Sequence, residues 1–267
     1  MTIPDLATTA DVAGQSRAGL RYRIHGTVQQ TVIIDLQPGQ TVFSDAGGMS
    51  WMSGWVEMNT HTGGGLGGMM KRAFSGATLF VIDFTSPRGA GQVAFAADFP
   101  GKIVAFDLDP GESMVMHKHS FVAAEKTVQL DITFTRKLGA GLVGGEGFIL
   151  QKVTGPGMVF VELDGDAIEY RLQPNETMKI EPGHIAMFEP SVSFDIAMVK
   201  GIKNMLFGGE GIFLGTLTGP GRIWLHSMTV HKMAHRIGES LPGKGGESGA
   251  AGGVAGAVIG SLLRGND

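Results

Sequence analysis

The chain has 267 residues, with 21 Lys and Arg against 25 Asp and Glu, a formal charge of −4 and no cysteine. That balance offers no general attraction to phosphate backbones, and the missing thiols exclude disulfide scaffolds, thiolate zinc sites, Cys-held iron–sulfur clusters and a Cys nucleophile. Glycine, at 43 residues, is more than twice its usual share of about 7%, while 43% hydrophobic and 17% charged residues describe a packed chain whose backbone turns often.

Residues 1–19 read as an N-terminal extension. They carry one Arg and two Asp among small polar residues, with neither the apolar stretch of a secretory signal nor an Arg-rich amphipathic pattern, so a cytoplasmic chain is expected. From residue 20 to 236 we expect one domain, because a phrase recurs three times along it. Leu36-Gln-Pro-Gly-Gln-Thr-Val42 returns as Leu108-Asp-Pro-Gly-Glu-Ser-Met114 and as Leu172-Gln-Pro-Asn-Glu-Thr-Met178. Each copy follows an extended apolar run (31–36, 102–108, 167–172) and precedes another, and Pro beside Gly or Asn is turn chemistry, so each reads as strand, tight turn, strand.

A second element keeps register with the first. Gly144 to Gly157 matches Gly208 to Gly221, both ending Thr-Gly-Pro-Gly, and Gly67 to Gly76 is a diverged first copy leading into the strand Thr78 to Phe84. The corresponding later strands are Met158 to Leu163 and Arg222 to Ser227. Almost no stretch has the 3.6-residue period of a long amphipathic helix. The expectation is an all-β fold: a single compact domain of three pseudo-repeats, a β-sandwich or double-stranded β-helix-like body, since one set of hairpins cannot bury its apolar face alone. A short helix is predicted from Met228 to Ile237, with His231 and His235 on one face. Residues 237–267 form a Gly-rich apolar tail, in which the uncharged segment 249–263 carries Gly252-x3-Gly256-x3-Gly260, a spacing that lets helices approach closely.

Several motifs carry chemistry at face value. Gly63-x-Gly65-x-x-Gly68 and Gly139-x-Gly141-x-x-Gly144 match the dinucleotide pattern, but a strand rather than a helix follows each, so they read as turns. Asp164-Gly165-Asp166 is a hairpin turn rather than a pair of catalytic carboxylates. Fifteen methionines, Met49, Met52, Met114 and Met116 among them, read as core filler or adaptable interface. The sharpest chemical pattern is Gly111-x5-His117-x-His119-x5-Glu125. Two histidines at i and i+2 share a strand face, and a carboxylate downstream completes a set suited to iron or manganese. This resembles the first motif of the cupins, and residues 175–184 loosely resemble the second, although Glu125 stands one residue beyond the usual gap and no histidine stands three residues after Gly183. The repeat offers a different reading: Asp45, His117 and Glu181 each stand seven residues past a turn proline, and around a pseudo-threefold axis they would converge on a cation or polar ligand. The simpler alternative is one outward strand position per repeat.

The repeat, together with Gly47-Gly-Met-Ser-Trp51, Lys71-Arg72, His117-Lys-His-Ser-Phe-Val-Ala-Ala-Glu125 and Gly208-Gly-Glu-Gly-Ile-Phe213, resembles the bacterial branch of the altered-inheritance-of-mitochondria, or mitochondrial-biogenesis, family over residues 20 to 236. The resemblance implies an all-β fold grouped with the tryptophan RNA-binding attenuation protein. It also implies eukaryotic relatives associated with the mitochondrial inner membrane, and it brings no catalytic residues with it. The expected function is a non-enzymatic, self-associating scaffold or interaction module, a homo-oligomer that contacts a membrane peripherally through residues 249–263, with no cofactor and no nucleic acid. The alternative is a cupin-like metal-dependent enzyme using His117, His119 and Glu125 with iron or manganese.

Overall fold

A computed structural model of the chain describes residues 12–62, 80–136, 148–198 and 213–240. The recurring turn explains the local structure. Gly39, Gly111 and Asn175 adopt φ of 82°, 81° and 64°, the left-handed region that Gly and Asn tolerate best. The residue that follows then staples the turn: the side chains of Gln40, Glu112 and Glu176 accept the N–H of Gln37, Asp109 and Gln173 at 2.8, 2.9 and 2.7 Å. The Thr-Gly-Pro-Gly phrase supplies the opposite side of the clip. A side chain at Gly155 or Gly219 would meet the carbonyl of Asp109 or Gln173 at 2.5 or 2.4 Å, so the two hairpin ends approach as closely as glycine alone permits.

Each repeat contributes six strands. The first holds β3 (Thr31–Leu36), β4 (Thr41–Asp45), β5 (Trp51–Met52), β6 (Glu57–Thr62), β7 (Phe80–Thr85) and β8 (Gly91–Ala96). The second holds β9 (Gly101–Leu108), β10 (Ser113–His117), β11 (Phe121–Glu125), β12 (Gln129–Arg136), β13 (Phe148–Thr154) and β14 (Gly157–Asp164). The third holds β15 (Ala167–Leu172), β16 (Thr177–Ile180), β17 (Ile185–Phe188), β18 (Ser193–Met198), β19 (Phe213–Thr218) and β20 (Gly221–His226). Among the described residues two strands precede them, β1 (Val12–Gln15) and β2 (Arg21–His25), and one helix follows, α1 (Val230–Ser240). The all-β expectation holds. The helix expected over 228–237 runs three residues further than its sequence pattern implies.

The sheets do not follow the repeat boundaries. Three strands of one repeat join three of the next, giving the six-stranded orders β6-β7-β4-β11-β14-β9 and β12-β13-β10-β17-β20-β15. The join is two residue pairs wide in both: Phe43↔Ala124 with Val42↔Glu125, and Val115↔Phe188 with Met116↔Met187. By the same rule β16 should pair with β5. Among the described residues it does not: β16-β19-β18 remains a three-stranded sheet, and β5 is the edge of β1-β2-β3-β8-β5.

Between the sheets lie three apolar clusters. One packs Phe84, Phe95 and Ile34 of the first repeat against Phe160 of the second, with Leu20 and Ile24 from the β1–β2 region closing it. Another holds Met116, Met187, Phe121 and Trp224, and the third holds Leu150, Ile185, Leu217 and Ile223. Methionine fills the joins, as its adaptable shape allows.

Candidate functional site

The three positions seven residues past the turn prolines do occupy matching places. Asp45 and His117 end β4 and β10, and Glu181 directly follows β16. Their surroundings differ. Asp45 is packed beside Gln151, and burial lifts its carboxyl to about 6. The two side chains approach without a well-aligned hydrogen bond: among the described residues Asp45 Oδ1 and both polar atoms of the fully buried Gln151 have no partner. The His117 ring lies 5.0 Å from that of Phe148 and 5.2 Å from that of His119, and dense packing lowers its pKa to about 3, with His119, His226 and Lys118 adding to the effect. Glu181 is half-exposed and takes Lys232 of α1 at 2.7 Å.

His119 does not share a strand face with His117, because β10 ends at His117 and residues Lys118–Ser120 form a single 3-10 turn. Glu125 has a different task from the one its spacing suggests. It is buried, accepts the Met158 N–H at 2.7 Å and takes the hydroxyl of Ser16 at 2.8 Å. Glu189, 64 residues later, accepts the Arg222 N–H at 2.9 Å, and Ser53, 72 residues earlier, accepts the Gln92 N–H at 3.0 Å. The carboxylate of the cupin-like pattern is therefore one of three repeat-equivalent clips on the last strand of each repeat. Among the described residues no group of three or more His, Asp or Glu side chains is placed to hold a metal.

A second polar cluster lies where the third repeat meets α1. Glu162 accepts the N–H groups of Asp98 and Phe99, both at 3.1 Å, and His226, 64 residues on, accepts the Asp164 N–H at 3.1 Å through Nδ1. That bond leaves Nε2 of His226 to donate to the Gly183 carbonyl at 2.7 Å, a neutral tautomer, in keeping with the lowering of its pKa by burial. Burial raises both Glu162 and Asp164; the nearby Asp164 carboxyl adds to the rise of Glu162, while His226 and a hydrogen bond with Glu162 hold Asp164 back. His184 continues the chain, with Nδ1 against the His226 carbonyl and Nε2 against Lys232 Nζ, both at 2.7 Å. The cluster ties turns together and pins α1.

Sequence reasoning passed over Gln151, Glu162, Glu189 and Lys232. Gln151 carried a signal, since it interrupts the apolar run of β13 where the repeat places Ile82 and Gly215. The dinucleotide-like glycine runs and the tail 241–267 lie outside the described residues, as do residues 67–76, 144–147 and 208–212 of the longer glycine repeat.

The model of the family described as Mitochondrial biogenesis AIM24 matches residues 22–228. The chain belongs to that family. An uncharacterized protein of Streptococcus pyogenes serotype M6 is 28% identical over 233 residues, covering 84% of this chain and 92% of the relative. The crystal structure of a Streptococcus pyogenes protein, 24% identical, superposes with a TM-score of 0.67 over 83% of this chain and the whole of its own, a likeness of fold. The AIM24 match stops at Met228, so α1 and the tail follow the family domain. No helix among the described residues is long and apolar enough to cross a membrane.

Proposed function

We propose that this AIM24-family protein is a non-enzymatic interaction module: a self-associating scaffold that works at the cytoplasmic face of a membrane and contacts it through residues 249–263. One observation carries the reading. Trp51, Trp55 and Met58 fall within eight residues of the first repeat and stand 50%, 53% and 43% exposed, whereas solvent-facing patches of large aromatic and Met side chains mark contact surfaces and their energetic centres. The distinctive polar residues support it from the other side, because Glu125, Glu162, Glu189 and His226 are engaged in holding turns and strands. The grouping with the tryptophan RNA-binding attenuation protein enters the proposal as fold kinship alone; RNA is not among the proposed partners of an acidic chain.

Sedimentation of the full chain across a concentration series tests the scaffold. Oligomers that dissociate in Trp55→Ser/Met58→Ser are expected, and a monomer at every concentration overturns the reading. Flotation with vesicles of mixed anionic and zwitterionic lipid tests the membrane arm, with binding lost on deletion of 241–267.

A further inference from the structure

The third join between repeats is open, and the residues that line it are unlike their equivalents. Trp51 faces Ala94 across β5 and β8; the same position is Ala123 opposite Phe160 in the second repeat and Met187 opposite Trp224 in the third. Ala123 and Met187 are 0% exposed, and Trp51 is 50% exposed. On the other side of the join, Lys179 of β16 is exposed where Phe43 and Val115 are buried. In the closed joins these positions meet a neighbouring strand. In the open one, among the described residues, the outer edges of β5 and β16 pair with nothing, next to a large aromatic ring.

We propose that the C-terminal segment Val254–Leu263 of the same chain lies along this open edge as an added strand, covering Trp51. This rests on the reading of the tail as a contact element, and gives it a resting place when no other partner is bound. Three observations favour that occupant. First, the helix that the tail follows begins beside the join: Lys232, in the first turn of α1, bonds Glu181, the residue directly after β16, at 2.7 Å. Second, the chain is long enough. From Lys232 to the end of α1 is about 12 Å at 1.5 Å per residue, and residues 241–253, rich in glycine, have a root-mean-square reach of roughly 20 Å. Third, the chemistry matches. Val254-Ala-Gly-Ala-Val-Ile-Gly-Ser-Leu-Leu263 has no charge and holds five large aliphatic side chains, while an open strand edge offers N–H and C=O groups that an extended segment satisfies and an aromatic face that aliphatic side chains cover.

Hydrogen exchange on the full-length chain, at a protein concentration where it is monomeric, tests this. Amides of 254–263 should exchange about tenfold or more slowly than in the same sequence as a free peptide. Deleting 241–267 should speed exchange at 49–53 and 177–181 and leave β10 and β11 unchanged. In the full chain, Trp51→Ser should release 254–263, which covers the case of a truncated protein that folds poorly. Peptide-like exchange of 254–263 in the intact monomer overturns the proposal. So does protection that appears only as concentration rises, which would place the tail on a second copy, or only with vesicles, which would place it on lipid. If deletion abolishes vesicle binding or oligomers while exchange at the open edge stays the same, the interaction-module reading stands and this proposal falls.

Discussion

Among the described residues, two of the three joins between repeats are closed and one is open, although all three are built from the same phrases. The closed joins pair strands of successive repeats through small or flexible residues, Ala124 against Phe43 and Met116 against Met187, all buried. At the open join the counterparts of Phe43 and Met187 are Lys179 and Trp51, a charge that a closed form would strip of water and a side chain larger than the closed form admits, while those of Ala124 and Met116 are Met52 and Ile180. What separates a sealed core from an exposed edge here is therefore a handful of side chains on an unchanged backbone plan.

Exchanging those residues should produce the largest effect. Ala123→Trp forces an indole against Phe160 inside a packed cluster and should cost about 3 kcal/mol or more in urea unfolding. Close behind comes Glu125→Ala, in the join between β4 and β11. It leaves the buried Met158 N–H without its acceptor and should cost about 2–3 kcal/mol, whereas Ser53→Ala, the matching change beside the open join, should cost about 1 kcal/mol.

Acid also acts on β10, the strand of the other closed join. His117 is held near 3 against an ordinary 6.5, so below 6.5 the unfolded chain takes up a proton that the folded one refuses, and stability falls as pH drops toward 3. Asp45, lifted to about 6, slopes the other way: its contribution is lost as pH rises from 3.8 to 6. Glu162, lifted by burial to about 8, slopes the same way as Asp45, so the histidine is read by difference: from pH 6.5 to 4 the wild-type chain should lose stability relative to His117→Phe, by at most about 1.36 kcal/mol per pH unit.

Gln151→Met, beside Met116, removes an unmatched buried amide and should raise stability by about 1 kcal/mol, read as a melting point higher by roughly 2–4 °C. Smallest of all, in a chain lacking 241–267, Trp51→Ala should change global stability by no more than about 0.5 kcal/mol. A cost like that of the core tryptophan Trp224 would mean that the open join is not open.

Much of this architecture was legible in the chain. The Leu-x-Pro-Gly/Asn-Gln/Glu phrase announced three turns because its proline, its left-handed residue and its side-chain acceptor act within five residues of one another. Thr-Gly-Pro-Gly was legible for the same reason. The sharing of sheets between repeats was not, because β4 meets β11 some 80 residues later and no local pattern encodes that partner. Nor was the role of Glu125. Its spacing from two histidines suggested a metal, while its agreement with Glu189 and Ser53 shows in a repeat alignment only once the N–H groups they accept are in view. Asp45, His117 and Glu181 stand at one position of the repeat, but their neighbours are set by other repeats and by α1.

The exchange of strands between repeats also sets a timetable for synthesis. The sheet begun by β4 is complete only when β14, ending at Asp164, has left the ribosome, and the next only when His226 has, 62 residues later. At ~5–20 residues per second, about 3–12 s separate the two events. Throughout that interval the newest repeat presents an unmatched strand to its surroundings, so released chains truncated between residues 165 and 225 should be far more prone to aggregate than the full chain.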